Sequence, residues 1–278
     1  MTSPELSEAG RRLHVFVDGV GVIAPGLDHW SQARDAFAGT LTVVPAKTRV
    51  PAPVSLPPAE RRRAGVAVKA AIAVGRQALE ASGTPASNLA TVFASSGGES
   101  VNCDEICRAL ATSDRVISPT RFHNSVHNAP SGYWSISSQS MATSSVVCAF
   151  DGSFAAGLLE AMTQVITENQ PVLLMAYDTD YPEPLLSVRA IPDTFGLALL
   201  LSPRAGAHSV GRLALERDGA FTADAADRLE VATLEALRSA FPAARGLPLL
   251  RALALGQERR VVIDYLEGMQ LAVQVQPC

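Results

Sequence analysis

The sequence predicts an α/β protein whose sheet is covered on both faces. Three observations carry that expectation. Residues 90–95 (ATVFAS), 171–177 (PVLLMAY) and 195–201 (FGLALLL) are apolar runs without the polar alternation of a half-solvated strand. Helical patterns precede and separate them, notably residues 59–82 and 152–168. Hydrophobic residues make up 47% of the 278 and charged residues 18%, enough for a substantial core.

Taken in order, residues 14–23 (HVFVDGVGVI) mix β-branched residues with glycines and read as the first strand. A short amphipathic helix follows over 28–37, with Asp28 as its expected cap. A proline-rich connection, 45–58, leads to one long helix over 59–82 that Gly83 ends. The strand at 90–95 runs into Ser96-Gly97-Gly98-Glu99 and a helix over 102–111. Residues 119–140 read as an irregular helix interrupted at Pro130 and Gly132. A buried strand over 143–149 passes at once into the helix at 152–168. Beyond Pro203 the pattern thins: a strand over 211–216, an amphipathic helix over 224–241, and residues 261–275 as helix or strand.

Composition excludes several classes. The net charge is −4, and the one basic cluster, Arg61-Arg62-Arg63, opens a helical pattern and reads as a solvated face rather than a phosphate patch, so nucleic acid is not expected. Four cysteines in a chain of this length make no disulfide framework. Residues 1–12 are polar, with no apolar core of export-signal length, and no apolar run approaches a membrane span. The expected setting is the cytoplasm.

Three passages, Val92-Phe93-Ala94-Ser95-Ser96-Gly97-Gly98-Glu99, residues 144–162 (SSVVCAFDGSFAAGLLEAM) and residues 172–178 (VLLMAYD), resemble the N-terminal half of the thiolase-fold ketoacyl synthases. Residues 121–136 (RFHNSVHNAPSGYWSI), 152–161 (GSFAAGLLEA) and 177–185 (YDTDYPEPL) resemble the short chain-length factors of that superfamily, which accompany an active synthase in aryl polyene and xanthomonadin-type pigment pathways. The resemblance spans residues 14–202. It implies a thiolase-like layered fold with a complete N-terminal half, residues 13–203, and a reduced C-terminal portion, residues 204–278, packed on the first.

In that family a nucleophilic cysteine sits where strand meets helix, its thiolate activated by the helix N-terminus, with histidines or a histidine and an asparagine assisting and backbone amides forming an oxyanion hole. The cysteine lies three residues before a helix-opening glycine. Counted back from Gly152, that place holds Ala149. Cys148 is one residue early, which on an extended strand turns it to the opposite face, so it is expected as a buried core thiol. The family's catalytic histidines belong to a C-terminal half; here only His208 follows Pro203, outside any such motif.

The resemblance therefore implies a non-catalytic subunit with no cofactor and no metal, partnered with a ketoacyl synthase and, through the complex, acyl carrier protein. Phe122, Tyr133, Trp134, Phe150 and Phe154 are candidates to bound an acyl tunnel or meet the partner, with His123, Asn124 and Asp151 beside them; Tyr133 and Trp134 read equally well as core filling, and Asp151 also reads as a helix cap. His123 and His127, and Cys103 and Cys107, stand four apart, but neither pair has a further ligand and both read as structural. Ser95-Ser96-Gly97-Gly98 lacks phosphate-loop spacing and reads as tight packing. Two other functions stay open: an active condensing or acyl-transfer enzyme using Cys148, and a stand-alone binder of acyl chains or acyl carrier protein.

Overall fold

The computed structural model describes residues 12–216 and 219–278; the polar N-terminal stretch, apart from Arg12, lies outside the described residues. In chain order the elements are β1 (Arg12–Ile23), α1 (Trp30–Phe37), α2 (Pro58–Arg63), α3 (Val66–Ser82), β2 (Ala90–Ala94), α4 (Ser100–Leu110), α5 (Pro119–Asn124), α6 (Ala129–Ser138), β3 (Ser144–Val147), α7 (Ser153–Glu168), β4 (Val172–Asp178), α8 (Leu185–Val188), β5 (Phe195–Ser202), β6 (Gly211–Glu216), β7 (Phe221–Thr222), α9 (Ala232–Ala240), α10 (Leu247–Ala254), β8 (Arg259–Leu266) and β9 (Met269–Gln276).

One mixed sheet organises the molecule. Its order is β3-β2-β4-β5-β1-β6-β9-β7, with β8 paired to β9. Strand β2 runs parallel to β3 and β4, and β5 is antiparallel to β4 and β1. Every residue of β4 and β5 is buried, as their unbroken apolar runs require. Successive residues point to opposite faces. Phe93, Leu173 and Met175 join Tyr133, Trp134 and the buried side of α3, whereas Val92, Leu174 and Ala176 join α7 and the C-terminal elements. Gly19 and Gly21 let α3 lie directly on β1, since a Cβ at either would overlap the carbonyl of Ala78 or Val74.

Several boundaries differ from the sequence expectation. The helix expected over 59–82 is two, broken at Ala64 and Gly65, both extended. The Glu99 carboxylate, from the loop after β2, accepts the N–H groups of Val66 (2.9 Å) and Ala67 (3.3 Å) and so caps α3 in place of a local residue. Asp28 does not cap α1: His29 holds the cap position, and the Asp28 N–H instead donates to Gln32 Oε1 at 2.7 Å. The segment 119–140 breaks between Asn124 and Ala129; Pro130 sits in the first turn of α6, where its missing N–H costs nothing, and Gly132 stays helical.

The strand expected as buried over 143–149 is β3, four residues at the sheet edge with a partly exposed face. Apolarity alone does not tell an edge strand from a central one. In the C-terminal portion the expected helix over 224–241 shrinks to α9. Asp227 is drawn off to the edge of β8, where its N–H donates to the Val262 carbonyl (2.9 Å) and its carboxylate accepts the Val262 N–H (2.7 Å). Residues 261–275 resolve as the hairpin β8–β9, turning at Gly268 with φ +72°.

Candidate functional site

The turn between β3 and α7 is held by Ser153, Tyr265 and Arg189. Its backbone leaves the strand at Ala149 (φ −141°, ψ 42°), passes through Phe150 in the left-handed region (φ +51°), and makes a 3-10 turn over Phe150–Gly152 before α7 begins. The Ser153 hydroxyl accepts the Ala149 N–H at 3.0 Å and donates to the Phe150 carbonyl at 2.7 Å, bridging the turn. Gly152 is obligatory, because a Cβ there would overlap the carbonyl of Tyr265 on β8. Strand β8 thus closes over the start of the helix. Arg189, just past α8, donates to Asp151 Oδ1 at 2.8 Å and lays its guanidinium 3.7 Å from the Phe150 ring centroid.

Neither Ala149 nor Phe150 can supply a nucleophile. Asp151, expected as a helix cap, makes no capping bond: Gly152 holds that position, and the carboxylate is taken by Arg189. Cys148 departs from expectation too. It is exposed rather than buried, because the edge strand leaves it uncovered, and its thiol donates to the Ser96 carbonyl at 3.4 Å.

Behind the turn lies a buried polar hub. Asp178, at the end of β4, accepts the Ser96 hydroxyl (2.6 Å), the Ser96 N–H (3.1 Å) and the Ala243 N–H (2.7 Å). Burial pushes its carboxyl up to about 6, against the lowering effect of those hydrogen bonds. Burial likewise raises the Tyr177 phenol beside it and the Glu99 carboxyl. The Ser95–Gly98 loop has its polar groups engaged by the protein: the Gly98 N–H donates to Ser95 Oγ (3.1 Å), and the Gly98 carbonyl accepts from Thr179 (3.3 Å).

The aromatic candidates fall in separate places. Tyr133 and Trp134 are buried on the α3 side, Trp134 beneath the Arg76 guanidinium at 5.3 Å. Phe154 is buried on the opposite face, against Gly246. Phe122 is 63% exposed and lines a groove of about 570 Å³ with His123, Val126, Gly132, Tyr133 and Ile136. The structure therefore does not gather the five into one tunnel within this chain. Asn124 is buried and ties α5 to α2 by donating to the Arg63 carbonyl at 2.6 Å. His123 meets Tyr133 edge to face (5.9 Å), and His127 Nε2 lies 3.2 Å from the Ser95 carbonyl. Among the described residues no group of three or more His, Cys, Asp or Glu could hold a metal ion.

Sequence reasoning missed Arg189, Ser153, Asp178 and Glu99. An acid ending a wholly apolar strand was the available signal for Asp178; Arg189 sits in an irregular loop with no local signature.

The mixed sheet with helices on both faces is the thiolase-like ketosynthase fold. The family model described as "Beta-ketoacyl synthase, N-terminal domain" matches residues 29–260, and the chain belongs to that family. Among solved structures it is similar to "Ketosynthase (ApeO) in Complex with its Chain Length Factor (ApeC)" from Xenorhabdus doucetiae, with TM-score 0.69 and 24% identity over 94% of this chain and 98% of that one. It is similar also to "The ishigamide ketosynthase/chain length factor" (TM-score 0.69, 13% identity, 95% and 99% covered). A third likeness is to an AntDE:AntF complex of a type II PKS acyl-carrier protein with its ketosynthase (TM-score 0.71, 14% identity, 95% and 99% covered). No curated protein matches the chain.

Proposed function

We propose that this chain is a non-catalytic chain-length factor that pairs with an active ketoacyl synthase and shapes the space receiving a growing chain on acyl carrier protein. The observation that carries the reading is the turn itself. The strand passes into the helix through Ala149 and Phe150, neither of which carries a thiol, and β8 covers the helix start. Two of the similar solved structures are named as ketosynthases with chain length factors, and another contains an acyl-carrier protein. On this reading residues 13–203 form the synthase-like part and residues 204–278 its reduced complement, and the setting is the cytoplasm. No helix among the described residues is long and apolar enough to cross a membrane. An aryl polyene or related pigment pathway fits the chain-length-factor motifs.

The surface supports a partner at the β3 side. Among the described residues, strand β3 pairs with β2 on one edge and with no strand on the other, leaving a row of backbone groups free to pair. Met141, just before it, is 96% exposed, and Phe122, Val126 and Ile136 form the apolar wall of the nearby groove. The acyl tunnel then lies between subunits, with the exposed Phe122 and His123 as contributors. Expressed alone, the chain should self-associate; co-expressed with the ketosynthase of its own gene cluster, it should elute as a 1:1 complex. A monodisperse monomer indifferent to that synthase contradicts the proposal.

The exposure of Cys148 keeps one alternative in view, a condensing or acyl-transfer enzyme using that thiol. Labelling by an acyl-thioester probe that disappears in Cys148→Ser would establish it.

A further inference from the structure

We propose that Phe150, held by Arg189, is the aromatic anchor through which this chain grips its ketosynthase partner. The inference rests on the chain-length-factor reading and names a residue within that contact. Among the described residues, five that are not glycine have positive φ: Asn88, Arg115, Gln139, Phe150 and Asn169. Gln139 and Asn169 close α6 and α7, where a left-handed residue is the ordinary end of a helix. Phe150 ends no helix and is aromatic, so its left-handed backbone carries a real steric cost. Glycine or asparagine would make the same turn at lower cost.

The core does not compensate that cost, since the Phe150 side chain is 63% exposed. The surroundings nonetheless hold it in one place. Arg189 covers one face of the ring at 3.7 Å, and the guanidinium is itself fixed by Asp151 at 2.8 Å, its side chain only 19% exposed. Ser153 and Gly152 fix the backbone on either side of the turn. An exposed aromatic ordered in advance is the economical form of an interface anchor, because little entropy remains to be lost on binding.

Its location selects the occupant. Phe150 follows the free-edged β3 by three residues, so it continues the side proposed for the synthase. Val188, the residue before Arg189, adds a side chain 82% exposed. The chemistry offered is one aromatic ring with an aliphatic neighbour and an ion pair at its border. It fits an apolar pocket with a polar rim on the partner subunit.

Strain supplies the test. Phe150→Gly relieves the left-handed backbone and removes the ring, so the melting temperature of the isolated chain and its affinity for the partner should part company. The measurements are that melting temperature and the dissociation constant for the co-encoded ketosynthase. Phe150→Gly should melt no lower than the native chain yet bind about 30-fold more weakly or worse. Arg189→Met should weaken binding by a smaller factor, Arg189→Lys should not restore it fully, and Arg189→Met added to Phe150→Gly should change affinity less than about twofold. Affinity unchanged in Phe150→Gly, with the native complex intact, overturns the anchor alone. Weaker binding that merely follows a lower melting temperature also overturns it, by showing a structural role. Failure of the native chain to form any complex overturns both the anchor and the functional reading.

Discussion

The buried carboxylate of Asp178 accepts the backbone N–H of Ala243 at 2.7 Å and thereby joins the end of β4 to the C-terminal portion. The same carboxylate holds Ser96, so one side chain ties three separated segments together. A buried acid with three donors is held by geometry, and burial raises its pKa from the ordinary 3.8 to about 6.

Because the folded-state value lies above the unfolded one, the stability this group contributes is fully present below pH 3.8 and is lost as pH rises through 6. The full difference is about 3 kcal/mol. Asp178→Asn removes the titration and presents an amide donor to groups that already donate. It should be less stable than the native chain at pH 5, with the gap narrowing between pH 5 and 7.5. Chemical denaturation at several pH values checks this; a gap that widens over that range contradicts it.

Two glycines should respond in opposite senses. Gly152→Ala drives a methyl into the Tyr265 carbonyl and should destabilise by about 2–3 kcal/mol, because backbone cannot easily give way. Gly132 sits inside α6 with nothing near its missing Cβ, so Gly132→Ala should stabilise the isolated chain by up to about 1 kcal/mol. Thermal melts of the two variants decide the point.

Aromatic residues that look alike in sequence should separate by experiment. Phe154→Ala empties a fully buried site and should cost about 3–5 kcal/mol. Phe122→Ala, at a site 63% exposed, should change the stability of the isolated chain by less than about 0.5 kcal/mol while altering the products or affinity of the complex. Equal losses of stability would show that Phe122 is a core residue.

Much of this was legible in the sequence. The apolar runs located β2, β4 and β5, and the glycine at residue 83 ended α3, where it takes φ +68°. What escaped were contacts made across space. The α3 cap is Glu99, more than thirty residues from its targets, and the partner of Asp151 is Arg189, 38 residues on. Cys148 was misplaced for a related reason: its burial depends on whether β3 has a neighbour on its far side, which local pattern cannot state.

As a non-catalytic chain-length factor, the function proposed above, this chain takes no acyl group itself. The most direct measurement is the intact mass of each subunit after the complex meets an acyl-thioester donor. An acyl adduct is expected on the ketosynthase and none on this chain. An adduct on this chain that vanishes with Cys148→Ser would contradict it.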